Sequence, residues 1–180
     1  MATWNIDPTH TLAEFVVTHM MFTKVRGRFT DVSGTIEFDP ENPNAAKVSA
    51  TIQVATIASG AVDRDNHLKS ADFFNVEQFP VMTFNSTRVV AASATQATLV
   101  GELTIRDVTR EVTLEVEFGG TGKTPFGTEV VGFSASTKIN REDFGLTWNV
   151  ALEAGGVLVG KEVSINLEVQ AVRVGETQTA

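Results

Sequence analysis

Apolar residues recur at every second position in eight separate stretches of this chain. That period constrains the fold more than any other feature, because alternate side chains of a strand point to opposite faces. Ala13, Phe15, Val17 and His19 mark a first strand, and Val32, Gly34, Ile36 and Phe38 a second. Val48, Ala50, Ile52 and Val54 give a third, and Met82 and Phe84 sit in a fourth. Pro80 precedes that fourth strand, where its missing N–H is tolerated. Leu99, Gly101, Leu103 and Ile105 make the fifth strand; Val112, Leu114, Val116 and Phe118 make the sixth. Val131, Phe133, Ala135, Thr137 and Ile139 belong to the seventh, and Val163, Ile165, Leu167 and Val169 to the last. The expected fold class is all-β, with the strands mostly antiparallel.

Turn chemistry separates the strands. D-P-E-N-P-N (Asp39–Asn44) parts the second from the third, and R-D-V-T-R (Arg106–Arg110) joins the fifth to the sixth. G-G-T-G-K-T-P-F-G (Gly119–Gly127) is expected to turn between the sixth and seventh. Its G-G-T-G-K-T lacks the four-residue spacer of a phosphate-binding loop and opens no helix. The long excursion Asn140–Gly160 precedes the last strand, and loops of that length in compact domains are usually functional. With 180 residues the chain makes one domain, read as 1–174, followed by a frayed tail over 175–180.

Eight antiparallel strands suit either a sandwich or a closed barrel, and strand length favours the barrel. The hairpin from Thr95 to Gly119 gives arms of roughly ten residues, about 33 Å at 3.3 Å per residue. An extended eight-stranded antiparallel barrel of that height encloses a narrow tunnel suited to a chain-shaped apolar ligand. Small inward residues (Ala13, Gly34, Ala50, Gly101, Ala135) leave room beside Phe15, Phe38, Phe84 and Phe133. The competing reading is that they interdigitate with bulky neighbours in a solid core.

One charged segment interrupts the strand pattern. D-R-D-N-H-L-K-S-A-D-F-F (Asp63–Phe74) has helical spacing, with Ser59 as expected N-cap and two aspartates in the first turns. It is expected to form a short helical cap over one end of the barrel. Hydrophobic content of 42% and 20% charged residues fit a soluble globular protein. A net charge of -8 speaks against nucleic acid and anionic membrane surfaces as partners. No cysteine is present, so thiolate chemistry and cysteine metal sites are excluded. The N-terminus lacks the features of a signal peptide and no apolar run reaches membrane-spanning length. A cytoplasmic protein without stable membrane insertion is the expectation.

Several motifs together resemble the YceI-like family. They are I-D-P-T-H-T, F-V-V-T-H-M-M with V-R-G-R-F, and D-R-D-N-H-L-K-S-A-D-F-F leading into F-P-V-M-T-F. G-E-L-T-I-R-D-V-T-R-E-V-T-L and I-N-R-E-D-F-G-L-T-W follow in the same order, so the resemblance runs from about Trp4 to Arg173. It implies a lipocalin-like barrel that holds a polyisoprenoid or similar long-chain amphiphile, as carrier, storage or sequestering protein, and it implies homodimers. No cofactor is implied beyond the bound lipid.

Under that reading, the expected ligand-contacting wall comprises Phe15, Val17, His19, Ile36, Phe38, Ile52, Met82 and Phe84. It continues through Leu99, Leu103, Leu114, Val116, Phe133, Ala135 and Leu167. His67, Phe74, Arg141 and Trp148 are expected near a mouth, Arg141 because its fork suits a phosphate or hydroxyl headgroup. Its plainer alternative is a salt bridge within the loop, and Trp148 and Phe144 fit packing against the barrel. Met20, Met21 and Phe22 read as a flexible apolar lip, or as core packing, and Met21 and Phe22 are expected among the ligand contacts.

His10, His19 and His67 match no short metal-ligand motif. An enzyme would use His67 with Asp63 or Asp72 as an acid–base pair. It would lack a nucleophile, since no serine stands in a G-x-S-x-G context. The plainer role for Asp63, Arg64, His67 and Asp72 is a network pinning the helix. A third reading is an interaction protein with a solid barrel.

Overall fold

The computed structural model describes residues 1–175, and most of the expected tail (176–180) lies outside them. Ten strands form one antiparallel sheet: β1 (Ala2–Ile6), β2 (Leu12–His19), β3 (Thr23–Phe29), β4 (Val32–Phe38) and β5 (Lys47–Gln53) come first. A single helix, α1 (Val62–Lys69), precedes β6 (Val81–Ala92), β7 (Gln96–Ile105), β8 (Val108–Lys123), β9 (Glu129–Asn140) and β10 (Val159–Arg173). The strand order is β1-β4-β5-β6-β7-β8-β9-β10-β2-β3, and an additional β1–β10 pairing closes the sheet.

The ten strands behave as eight barrel arms. β10 pairs with β1 through Ala171–Arg173 and with β2 through Val159–Glu168, so β1 and β2 are two halves of one bent arm. β3 pairs with β2 and β4 with β1, which makes β3 and β4 a second bent arm. The eight-armed barrel expected from alternation is therefore present, but β1 and β3 carry too weak a signal to be read as strands. β1 is five residues long, and β3 (T-K-V-R-G-R-F) has polar residues at most positions and an interior glycine.

Other boundaries differ for identifiable reasons. β6 runs twelve residues, but register shifts at Ser86/Arg88 and Val89/Ala91 break its period after Phe84. β8 continues to Lys123 through a shift at Phe118/Gly120, so Gly119–Lys123 is strand and only residues 124–128 turn. The β7–β8 hairpin closes tightly on Arg106 and Asp107, with Arg106 at φ 56°. α1 ends at Lys69, and turns follow it through Phe79. Its N-cap is Ala61 rather than Ser59. Ser59 donates through its N–H and hydroxyl to the Asp65 carboxylate, and Arg64 Nε donates to Ser59 Oγ at 2.8 Å.

Two of the small inward residues make packing, not space. A Cβ on Gly101 would stand 2.4 Å from Phe84 Cζ, and one on Gly34 would stand 2.0 Å from Ser49 O. Both glycines let neighbouring groups fill the volume. Ala50 and Ala135 face open space instead. Among the described residues no helix is long and apolar enough to cross a membrane.

Candidate functional site

A cavity of about 420 Å³ occupies the bore, inside the range of small-molecule pockets. Strand tilt near 40° turns a twelve-residue arm into a barrel about 30 Å tall. The lining runs the length of the bore, from Pro40, Pro43 and Ser93 at one end to His19, Arg64 and Trp148 at the other. Most lining side chains are apolar, and His19, Arg64, His67 and Arg141 stand at the mouth.

Burial is uneven around the hollow. Ile36, Phe38, Met82, Phe84, Leu99, Leu103 and Leu114 on β4, β6, β7 and β8 are buried and packed together, while still bordering the cavity. Inward residues on β2, β9 and β10 remain only half-buried: Phe15, Val17, Phe133, Ala135, Ile165 and Leu167. Their outward neighbours, such as Ser136, Asn166 and Glu168, are exposed to solvent, so the alternation itself is intact. The half-buried faces look onto the void, which reaches across to Val48, Ala50 and Ile52 of β5. Phe38, Phe118 and Phe133, with centroids 5.1–5.7 Å apart, narrow the bore toward the end that holds Pro40.

The expected wall residues all line this cavity, from Phe15, Val17 and His19 through Ala135 and Leu167, as do His67, Phe74, Arg141 and Trp148. Met21 and Phe22 do not; both sit outside the wall, and Phe22 is 88% exposed. Alternation missed Val25 and Phe29, which line the cavity from β3. Val25, Gly27 and Phe29 have the period of two, but Arg26 and Arg28 between them mask it. Phe73, Leu146 and Leu158 come from turns and loop, where periodicity carries no signal.

One mouth is built by α1 and the loop after β9. His67 Nε2 lies 2.9 Å from Asp72 Oδ2, and its ring stands edge-on to Trp148 and Phe73 at 4.6 and 5.0 Å. Of the two carboxylates expected for His67, the geometry selects Asp72. Trp148 thus ties the loop to the cap. Arg141 is 4% exposed and donates from Nε to Gly160 O, from Nη1 to Leu146 O (both 2.7 Å) and from Nη2 to Val159 O (3.3 Å). No carboxylate among the described residues lies within ion-pair distance of it, so the expected loop salt bridge does not form. Its neighbour Glu142 pairs with Lys161 instead. Burial pushes the guanidinium below its ordinary pKa, with Glu142 pulling the other way. Arginine keeps its proton regardless, so a cation solvated by three carbonyls stands at the rim of an apolar bore.

His10 pairs with Asp7 on the turn after β1, away from this mouth. Among the described residues no group of three or more metal-ligating side chains stands together.

The profile of the YceI-like domain matches residues 4–171. A UPF0312 protein of Staphylococcus aureus strain MSSA476 is 40% identical over 164 residues, covering 91% of this chain and 93% of that protein. Among solved structures, Burkholderia cenocepacia BcnA has a TM-score of 0.78 at 23% identity, covering 92% and 98% of the two chains. A polyisoprenoid-binding domain from Saccharophagus degradans has a TM-score of 0.71 at 14% identity, covering 96% and 99%. The last two likenesses concern the fold. A profile spanning nearly the whole sequence, together with the staphylococcal relative, shows that the chain belongs to the YceI-like family.

Proposed function

We propose that the protein binds a polyisoprenoid or similar long-chain amphiphile in the bore and acts as its carrier or sequestering protein. The observation that carries this reading is the ring of half-buried apolar side chains facing an unfilled interior on β2, β9 and β10. A sealed polar cavity would hold water, whereas an apolar one stays dry and favours apolar guests. Each methylene moved from water into such a bore contributes about 0.8 kcal/mol, so a long tail supplies most of the affinity. Ordering the tail offsets part of that gain. Arg141 at the rim suits an oxygen-rich headgroup, where one charged hydrogen bond adds about 2 kcal/mol. The tail sets affinity, and the rim sets orientation.

Support from relatives is in keeping: a domain of the same fold is a polyisoprenoid-binding domain in Saccharophagus degradans. Native mass spectrometry of the purified protein tests the reading. A bound prenyl lipid, or uptake of an added prenol, is the expected result. A chain that carries no lipid after purification and takes up none overturns it. The same spectrum reads subunit number, for which the reading expects a homodimer.

The 2.9 Å contact of His67 with Asp72 favours one second reading, acid–base chemistry at the mouth. Turnover of a prenyl or fatty substrate that His67→Ala abolishes, with binding retained, would establish it. The T-shaped contacts of the His67 ring with Trp148 and Phe73 instead give the pair a structural task, holding cap to loop.

A further inference from the structure

The β2–β3 hairpin ends in Met20, Met21 and Phe22, and its conformation works against its sequence. Met20 and Met21 have φ of 54° and 68°, the left-handed region, and Phe22 N–H closes the turn on His19 O at 3.2 Å. Turns with two successive positive φ values favour Asn-Gly, which carries little strain there. Two methionines followed by phenylalanine carry strain, yet these side chains stay 40%, 55% and 88% exposed. An observed outlier of this kind points toward function.

The tip is fixed at the mouth of the cavity. Met20 N–H donates to Leu158 O at 2.8 Å, and both Leu158 and His19 line the bore. Met21 lies on the opposite loop so closely that a Cβ on Gly156 would meet its Sδ at 2.9 Å. Val62 at the start of α1 and Val150 in the loop add exposed apolar side chains at the same end. Single exposed apolar residues are ordinary; three in sequence at the opening of an apolar bore are not.

Charge identifies the occupant. Lys24, Arg26 and Arg28 stand exposed on the outward face of β3, in a row that leads away from the tip along the strand. Arg26 meets Glu14 at 3.4 Å, while Lys24 and Arg28 have no ion pair among the described residues. This basic ridge sits on a chain of net charge -8, and acidic groups farther than about 8 Å are largely screened at physiological salt. Among the described residues Glu14 is the one carboxylate paired with the ridge. A second copy brought tip to tip would set like ridges against each other, whereas anionic headgroups complement them.

We infer that the Met20–Met21–Phe22 tip and its basic ridge seat the mouth on an anionic bilayer surface, so that lipid passes between membrane and bore without crossing water. This rests on the lipid-binding reading of the cavity. The tip rests in the interface and spans nothing.

Flotation of the full chain with phosphatidylcholine vesicles, with or without phosphatidylglycerol, tests it. Binding is expected to vesicles containing phosphatidylglycerol and to weaken as salt rises. Phe22→Ser should lower it roughly tenfold or more, and Lys24→Gln and Arg28→Gln roughly fivefold each. Phe22 lies outside the cavity wall, so the Phe22→Ser protein should keep its prenyl lipid in native mass spectra. Wild-type protein that ignores anionic vesicles overturns the inference, as does flotation unchanged in all three variants. A Phe22→Ser change in subunit number without a change in flotation also overturns it, by making the tip a contact between copies. Tip-dependent flotation by a chain that takes up no prenyl lipid would support docking and remove the cavity reading alone.

Discussion

Ala135→Phe separates a hollow barrel from a filled one. Ala135 is half-buried at mid-height on β9, facing the bore, in register with Leu167 on β10 and Val116 on β8. If the interior were packed, an added ring would have no place. Overpacking costs about 1–3 kcal/mol, and in a domain of this size each kcal/mol moves Tm by about 2–4 °C. In the hollow barrel the ring enters the void, and the Tm of delipidated protein should hold or rise. Delipidation matters because bound lipid itself raises Tm by mass action.

Lipid capture should respond in the opposite sense. The substitution places about six extra carbons where tail carbons would lie, displacing about 5 kcal/mol of gross burial at 0.8 kcal/mol per carbon. Rerouting the tail past the ring recovers part of that, so the expected loss is at least about 30-fold in Kd, or about 2 kcal/mol. Thermal unfolding of stripped protein and titration with a prenol, read by native mass spectrometry, supply both numbers. A lowered Tm with undiminished uptake would refute the hollow-bore reasoning.

Other substitutions probe the packed wall and the mouth. Gly101→Ala drives a methyl into the Phe84 ring and to 2.7 Å from Asn85 O, so thermal unfolding should show a loss of about 2 kcal/mol. Arg141→Lys cannot serve three carbonyls in the same fork geometry and should cost about 2 kcal/mol, seen as a lower Tm and faster amide exchange in residues 145–158. His67→Ala removes the link from cap to Trp148, and amide exchange should accelerate across α1 and the turns after it while the barrel strands keep their protection.

What was legible in the sequence follows the physics of each element. Stretches with one apolar face and no bulge within them announce both their existence and their inward side, which is why Leu99, Leu114, Phe133 and Leu167 all point where alternation places them. β3 escaped because Arg26 and Arg28 dilute the apolar signal of Val25 and Phe29. The far half of β6 escaped because two register shifts change which face a residue takes. Glycine was ambiguous in principle: Gly101 and Ala135 look equally small in sequence, yet one receives the Phe84 ring and the other borders open space. The cap was readable as helix and as His67 with Asp72. Its tie to Trp148 depends on a loop with no period, and no local rule could join them.

Uneven burial around the void makes a last contrast between two leucines of the same inward parity. Both border the void, but Leu103 on β7 is buried and Leu167 on β10 is only half-buried. Removing a side chain from packed surroundings forfeits contacts on every side and leaves a new hole, about 3 kcal/mol for Leu→Ala. Leu167 is only half-buried and borders the void, so its removal forfeits fewer contacts and widens an existing space, about 1 kcal/mol. The β10 backbone stays paired to β9 from Glu162 to Val172, so the ladder does not depend on that side chain. Stripped Leu103→Ala should therefore melt well below stripped Leu167→Ala, while Leu167→Ala should lose more lipid affinity relative to its stability change. Equal losses of stability at the two positions would mean that β10 packs as tightly as β7, and the bore would have no soft wall for a ligand to occupy.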